Sequence, residues 1–257
     1  MTYFDSHAHL TSPDILPNIQ AILARARMAN VDQILNICTD RFTLQSGIDL
    51  ASQEKGIYNA GATTPHDVEK EGAETFPFFE AAARKGQLIA IGETGLDYHY
   101  THSNRKTQQE FLVKYLHLAA ELNLPIIFHC REAFDDLFAI VDLEYPKKNR
   151  AILHCFTGTM EEAEQVWKRG WLLSISGIAT FKKSEALRSV AKATPLNQLL
   201  IETDTPYLAP QSKRGQQNEP AFVVETARCI ANEKNISLEE LALATKKNTL
   251  NVLGLQI

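Results

Sequence analysis

The chain has 257 residues, 44% hydrophobic and 22% charged, which is ordinary globular material with enough length to bury a large core. A net charge of -5 removes any global electrostatic argument for nucleic-acid binding, so a phosphate-binding surface would have to be local; the basic pairs Lys182 with Lys183 and Lys213 with Arg214 read as solvated loops. MTYFDSHAHL lacks a secretory leader, no apolar run nears the roughly 18 residues needed to cross a bilayer, and Cys38, Cys130, Cys155 and Cys229 form neither a CxxC pair nor a dense framework, so a cytoplasmic protein without membrane partners is expected.

Strand-like and helix-like segments alternate along the chain. YFDSHAHL is the first strand candidate, followed by a helix from about Ile15 to Ala29. VDQILNICT precedes a helix over about Arg41 to Lys55, and GIYNAGATT one containing Phe76, Phe79 and Ala82. LIAIGETGLDY leads into a strongly amphipathic segment, Lys106 to Leu122. PIIFHC is the fifth strand, with a helix over Glu132 to Leu143, and AILHCF the sixth, with a helix over Met160 to Arg169 that Gly170 stops. WLLSISG and a short helix, Glu185 to Ala193, come seventh. LLIETDTPYL is eighth, and a polar loop from Ala209 to Pro220 then reaches two closing helices, about Ala221 to Ala231 and Leu238 to Leu253.

Eight such units in about 250 residues predict a distorted TIM-type (β/α)8 barrel in an α/β chain, one domain over residues 1–257. An open doubly wound sheet is the alternative. His7, His9, Glu93, His129, His154 and Asp204 fall at the ends of strands one, four, five, six and eight; an open sheet would spread them over tens of ångströms at ~4.8 Å per strand, whereas closure gathers them at one rim.

These residue types at one rim suit metal-dependent hydrolysis. In His7-Ala8-His9 both imidazoles project from one strand face and can grip one ion, although a pair of hydrogen-bonded polar residues near a terminus has the same spacing. Asp5, placed by alternation on that face, reads as an outer partner or a strand-end polar group. Glu93 is either a turn cap or a carboxylate bridging two cations ~3.5 to 4 Å apart. His129 and His154 repeat one design, an aliphatic run, then histidine, then cysteine; alternation turns Cys130 and Cys155 away from the histidines, into packing. Asp204 sits where the eighth strand meets the first and can both ligate and accept a proton from water. Glu202 shares its face, one layer deeper.

Taken together the residues resemble the TatD-related metal-dependent deoxyribonucleases of the amidohydrolase superfamily. The matching pieces are FDSHAHL, IGETGLDY, the helix start Gln108 to Phe111, LPIIFHCREAF, HCFTGT, ETDTPYLAP and RGQQNEP, in order over nearly the whole chain. The resemblance implies two divalent cations per chain, Zn, Mn, Fe, Co or Mg: His7, His9 and Asp204 on one, His129 and His154 on the other, Glu93 between them, with Glu93 and Asp204 catalytic and Asp204 the general base. It further implies cleavage of DNA phosphodiester bonds, as a 3'-5' exonuclease on single-stranded or frayed ends, with His66, Arg131 and Asn218 (beside Pro220) in the substrate cleft and no obligate protein partner. One departure is Gly61-Ala62-Thr63-Thr64-Pro65-His66, where the family usually has Gly-x-His-Pro-His: Thr64 replaces the first histidine and His66 remains. His99 and His102 follow in a loop that meets substrate or solvent. The competing expectations are amide or ester cleavage of a small molecule or aminoacyl nucleic acid on the same scaffold, and a non-catalytic binding module.

Overall fold

The computed structural model describes residues 1–146 and 149–256. Eight parallel strands run in sequence order: β1 (Tyr3–Ala8), β2 (Val31–Cys38), β3 (Ile57–Gly61), β4 (Ala90–Asp97), β5 (Ile126–Arg131), β6 (Ala151–Leu153), β7 (Leu172–Ile175) and β8 (Leu199–Ile201). Between them lie α1 (Ile19–Met28), α2 (Arg41–Gln53), α3 (Val68–Arg84), α4 (Arg105–Leu122), α5 (Phe134–Glu144), α6 (Met160–Lys168) and α7 (Glu185–Ala193); α8 (Val223–Lys234) and α9 (Leu238–Leu253) close the chain. This is the expected TIM-type barrel, nearly closed. Every consecutive strand pair is hydrogen-bonded, while β1 and β8 meet chiefly at their upper ends, where Ala8 bridges Thr205.

Helix starts follow local chemistry. Asp40 and Thr159 accept hydrogen bonds from the backbone N–H three residues on in reciprocal capping boxes, and Asn104 and Ser237 cap α4 and α9 with the first of these bonds alone. Apolar faces of the helices pack on the outside of the strands, forming the larger core. A second core fills the barrel itself: Phe4, Leu35, Ile37, Ala60, Ala90, Ile127, Ile152 and Leu200 converge from the strands, and Leu250, Val252 and Leu253 of α9 plug its lower end. With that end filled, only the opposite rim is open for chemistry. No helix among the described residues is long and apolar enough to cross a membrane.

Two irregularities re-aim side chains at the rim. The β1–β2 register slips between Asp5 and Ala8, and the β4–β5 register between Ile91 and Thr94. Phe4 and His7, three residues apart, therefore both reach the interior, as do Ala90 and Glu93; strict alternation would put each pair on opposite faces. Asp5 accordingly does not share the face of His7. Its carboxylate accepts from the Thr203 N–H at 2.9 Å and pairs with the Thr203 hydroxyl at 2.5 Å, stitching β1 to the end of β8, while burial pushes its pKa up to about 8.

Candidate active site at the barrel rim

The six side chains expected as ligands converge in a cavity of about 780 Å³ at the upper rim; its lining includes His9, Glu93, His129, His154 and Asp204, with His7 fully buried beneath. Glu93 stands at the centre. Its Oε2 lies 3.1 Å from His7 Nε2 and 3.6 Å from His9 Nε2, and its Oε1 lies 3.3 Å from His129 Nδ1 and 3.6 Å from His154 Nε2. One carboxylate thus addresses two histidine pairs, one oxygen each. Asp204 Oδ1 completes the first half, 3.7 Å from His7 Nε2 and 3.5 Å from His9 Nε2.

Glycine makes the approach of Glu93 feasible. Gly92 (φ 139°) and Gly95 (φ 145°) occupy backbone regions that L side chains rarely adopt, and a Cβ at either would run into β5, at the Ile127 oxygen and the His129 oxygen respectively. Asp204 is itself left-handed (φ 61°), and its N–H donates to the His7 carbonyl at 2.9 Å, so the site's own backbone helps close the barrel.

Charge is shared unevenly. Burial, reinforced by the neighbouring His154, pushes His7 down to about 4, although Glu93 and Asp204 pull the other way. Burial also works against a charged His154, but the Glu93 and Glu202 carboxylates outweigh it and hold its pKa well above the usual histidine range. The two rings stack 3.8 Å apart, so charge on one disfavours charge on the other. For Glu93, the cost of burial is overcome by His154, His129 and His7, which hold its carboxyl well below the ordinary range.

The donor set fits divalent cations. Nε2 of His154, the nitrogen that faces Glu93, is buried without a hydrogen-bond partner among the described residues, a state that is costly unless something else engages it. His7 with His9 and Asp204, and Glu93 with His129 and His154, each offer ligand atoms within 4.8 Å of one another. Four imidazoles and two carboxylates suit transition metals better than an all-oxygen cage.

A carboxylate stands behind each outer histidine. Asp97, buried, has Oδ2 2.9 Å from His129 Nε2 and 3.5 Å from His66 Nε2, while its Oδ1 accepts the His99 and Tyr100 N–H groups. Burial opposes its ionisation, but His129 and the Tyr100 N–H bring its pKa to about 2. Glu202, one layer below the cavity as expected, has Oε1 3.4 Å from His154 Nδ1 and accepts the Cys155 N–H at 2.7 Å. Sequence reasoning missed Asp97, although it repeats the alternation of Glu93 and Gly95.

His66 and Arg131 line the cavity, and so does Thr64, whose hydroxyl donates to Asp67 Oδ2 at 2.8 Å. Asn218 does not. It is buried outside the cavity lining, and its amide donates to the Thr203 and Tyr207 carbonyls at 2.8 and 2.6 Å, so it braces the loop carrying Asp204. Cys155 also departs from expectation. The chain is left-handed there (φ 42°), which breaks the alternation and sets the thiol 3.3 Å from Ser176 Oγ; Cys130 also borders the cavity but is buried within the outer core. His99 pairs with Glu132 in the open, and His102 lines an adjoining depression.

The family profile described as TatD related DNase matches residues 4–254. A Bacillus subtilis (strain 168) protein named as the uncharacterized metal-dependent hydrolase YabD is 36% identical over 95% of this chain and 96% of its own length. A Citrobacter rodentium (strain ICC168) protein named 3'-5' ssDNA/RNA exonuclease TatD is 32% identical over 99% of this chain and 98% of its own. Among solved structures, that of YjjV, a TatD homologue from Escherichia coli K12, superposes with a TM-score of 0.92 at 26% identity, covering 99% of this chain and 98% of the other.

Proposed function

This chain belongs to the TatD-related DNase family and is a metal-dependent hydrolase, and on that premise we propose that it hydrolyses DNA phosphodiester bonds, removing nucleotides from single-stranded 3' ends, with residues 1–257 acting as one domain. The observation that carries this reading is the division of Glu93, one oxygen towards His7 and His9 and the other towards His129 and His154. The name of the Citrobacter relative supports the choice of nucleic acid.

In this reading His7, His9 and Asp204 would hold one cation, His129 and His154 a second, and Glu93 both. Such a pair, when bound, supplies Lewis acidity that makes water a nucleophile at neutral pH and offsets charge on the diester. Asp204, at the rim rather than the floor, accepts the proton of the attacking water. His129 and His154 are held in orientation by Asp97 and Glu202, and the Arg131 guanidinium at the mouth meets the anionic diester. The P–O bond to the preceding sugar breaks, leaving a shortened strand with a free 3' hydroxyl.

The test is digestion of an end-labelled single-stranded oligonucleotide by protein loaded with Mn, Zn, Co or Mg, beside ester and amide substrates and chelator controls. A chelator-sensitive ladder shortening from the 3' end is expected. Asp204→Asn should lower kcat by about a thousandfold or more while the far-ultraviolet spectrum is unchanged. Full activity in that variant would remove Asp204 as base, and turnover of amides or esters without any of the oligonucleotide would overturn the nuclease assignment.

A further inference from the structure

Two exposed tyrosines stand at the cavity mouth and have no part in the reaction as described. Tyr100 follows β4 and Tyr207 follows β8; strands four apart in a ring of eight lie across from each other, so the rings flank the cavity with Glu93 between them. Both line it, 44% and 58% exposed. Tyr207 meets the His9 ring edge-on at 5.9 Å. Tyr100 lies nearly parallel to His102, 5.4 Å between centroids, and the Arg131 guanidinium carbon is 5.0 Å from its centroid. On this side the cavity continues into a depression of about 550 Å³ lined by His66, Asp67, Lys70, Tyr100 and His102.

One exposed ring on a protein surface needs no explanation. Two, on opposite sides of a cavity whose centre is the candidate reaction site, form a pair of flat apolar surfaces about a polar middle. Nucleobases stack on such surfaces whatever their sequence, and cations beside them meet the intervening phosphates. We propose that Tyr207 and the Tyr100–His102 pair are stacking platforms for the two bases on either side of the scissile diester, and that the remaining strand leaves over Tyr100 into the adjoining depression past Arg131 and Lys70. The inference rests on the phosphodiester reading and names its substrate form: two successive unstacked nucleotides, which a strand end offers and an intact duplex withholds.

The test uses the full-length, metal-loaded protein and two single-stranded oligodeoxynucleotides of about ten residues, one ordinary and one with abasic tetrahydrofuran units at its last two 3' positions. The readout is the ratio of kcat/KM on the ordinary strand to that on the abasic strand. Tyr100→Ala and Tyr207→Ala should each lower this ratio by about fivefold or more, while Tyr100→Phe and Tyr207→Phe keep it. A 2-aminopurine at the 3' end, bound under chelator, should be quenched by the parent protein and recover fluorescence with the alanine variants. An unchanged ratio in the alanine variants, or an equal loss in the phenylalanine variants, overturns the stacking role alone. Failure of the parent protein to cleave either strand overturns the phosphodiester reading, and this proposal with it.

Discussion

Asp97 shows how much of the rim chemistry depends on a side chain outside the six expected ligands. It faces His129 with one oxygen and anchors the His99–Tyr100 turn with the other, fixing which ring nitrogen of His129 is free to face Glu93. Asp97→Asn keeps an acceptor for the turn but no longer offers a charged partner to the imidazole, so affinity for the cation should fall about 10- to 100-fold, read by isothermal titration calorimetry. Proton competition gives a second expectation. Burial opposes charge on His9 and His129, but Asp204 and Glu93 on the first, and Asp97 and Glu93 on the second, raise both pKa values; His154 is raised further. These rings therefore keep protons to higher pH, cations must displace them, and apparent affinity should weaken as pH falls, by about tenfold per unit for each proton released, with release measurable in buffers of different ionisation enthalpy. The convergence of the six rim residues was legible in the sequence because each was read at the end of a strand. Asn218 and Cys155 were not: the first lies in a loop without periodicity, and at the second a left-handed residue ends the alternation.

Among the elements, α3 carries a glycine that propensity alone would remove. Gly72 lies inside the helix, and a Cβ there would come within 2.7 Å of the Phe111 ring of α4. Gly72→Ala, worth about 1 kcal/mol of stabilisation in an open helix, should instead destabilise by about 1–3 kcal/mol in urea titration, and Phe111→Leu should remove most of that penalty. Helices and strands appeared in the sequence as contrasting periods of 3.6 and 2, so all eight units could be read. The register slip in β1 could not, since nothing in its composition marks it, whereas the one in β4 is signalled by Gly92 and Gly95, which the strand reading did not use. β6 and β8, three residues each, end with their apolar runs, short of the segments AILHCF and LLIETDTPYL read from the sequence.

For the molecule as a whole, the seam between first and last strands is the weak line. It is held by the Ala8–Thr205 bridge, by His9 N–H to Thr205 O at 2.8 Å, and by Asp5 to Thr203. His7 and His9 lie on one side of it and Asp204 on the other, so a cation shared by the three would tie the seam. Chelator should lower Tm by about 5–10 °C relative to protein with cation at a hundredfold its Kd, checked by calorimetry. Barrel closure was readable from the unit count; the weak seam beside the site was not, because nothing in a linear pattern says which pair of strands makes the poorest ladder.

That seam also sets an order of events during translation. The edge of β1 finds its second neighbour only after about 200 further residues have left the ribosome, which at roughly 5–20 residues per second is about 10–40 s. Throughout that interval β1, with His7 on it, keeps one edge open, with no Asp204 to meet it. Chains released early would carry an open strand edge, and none would hold the six rim residues together.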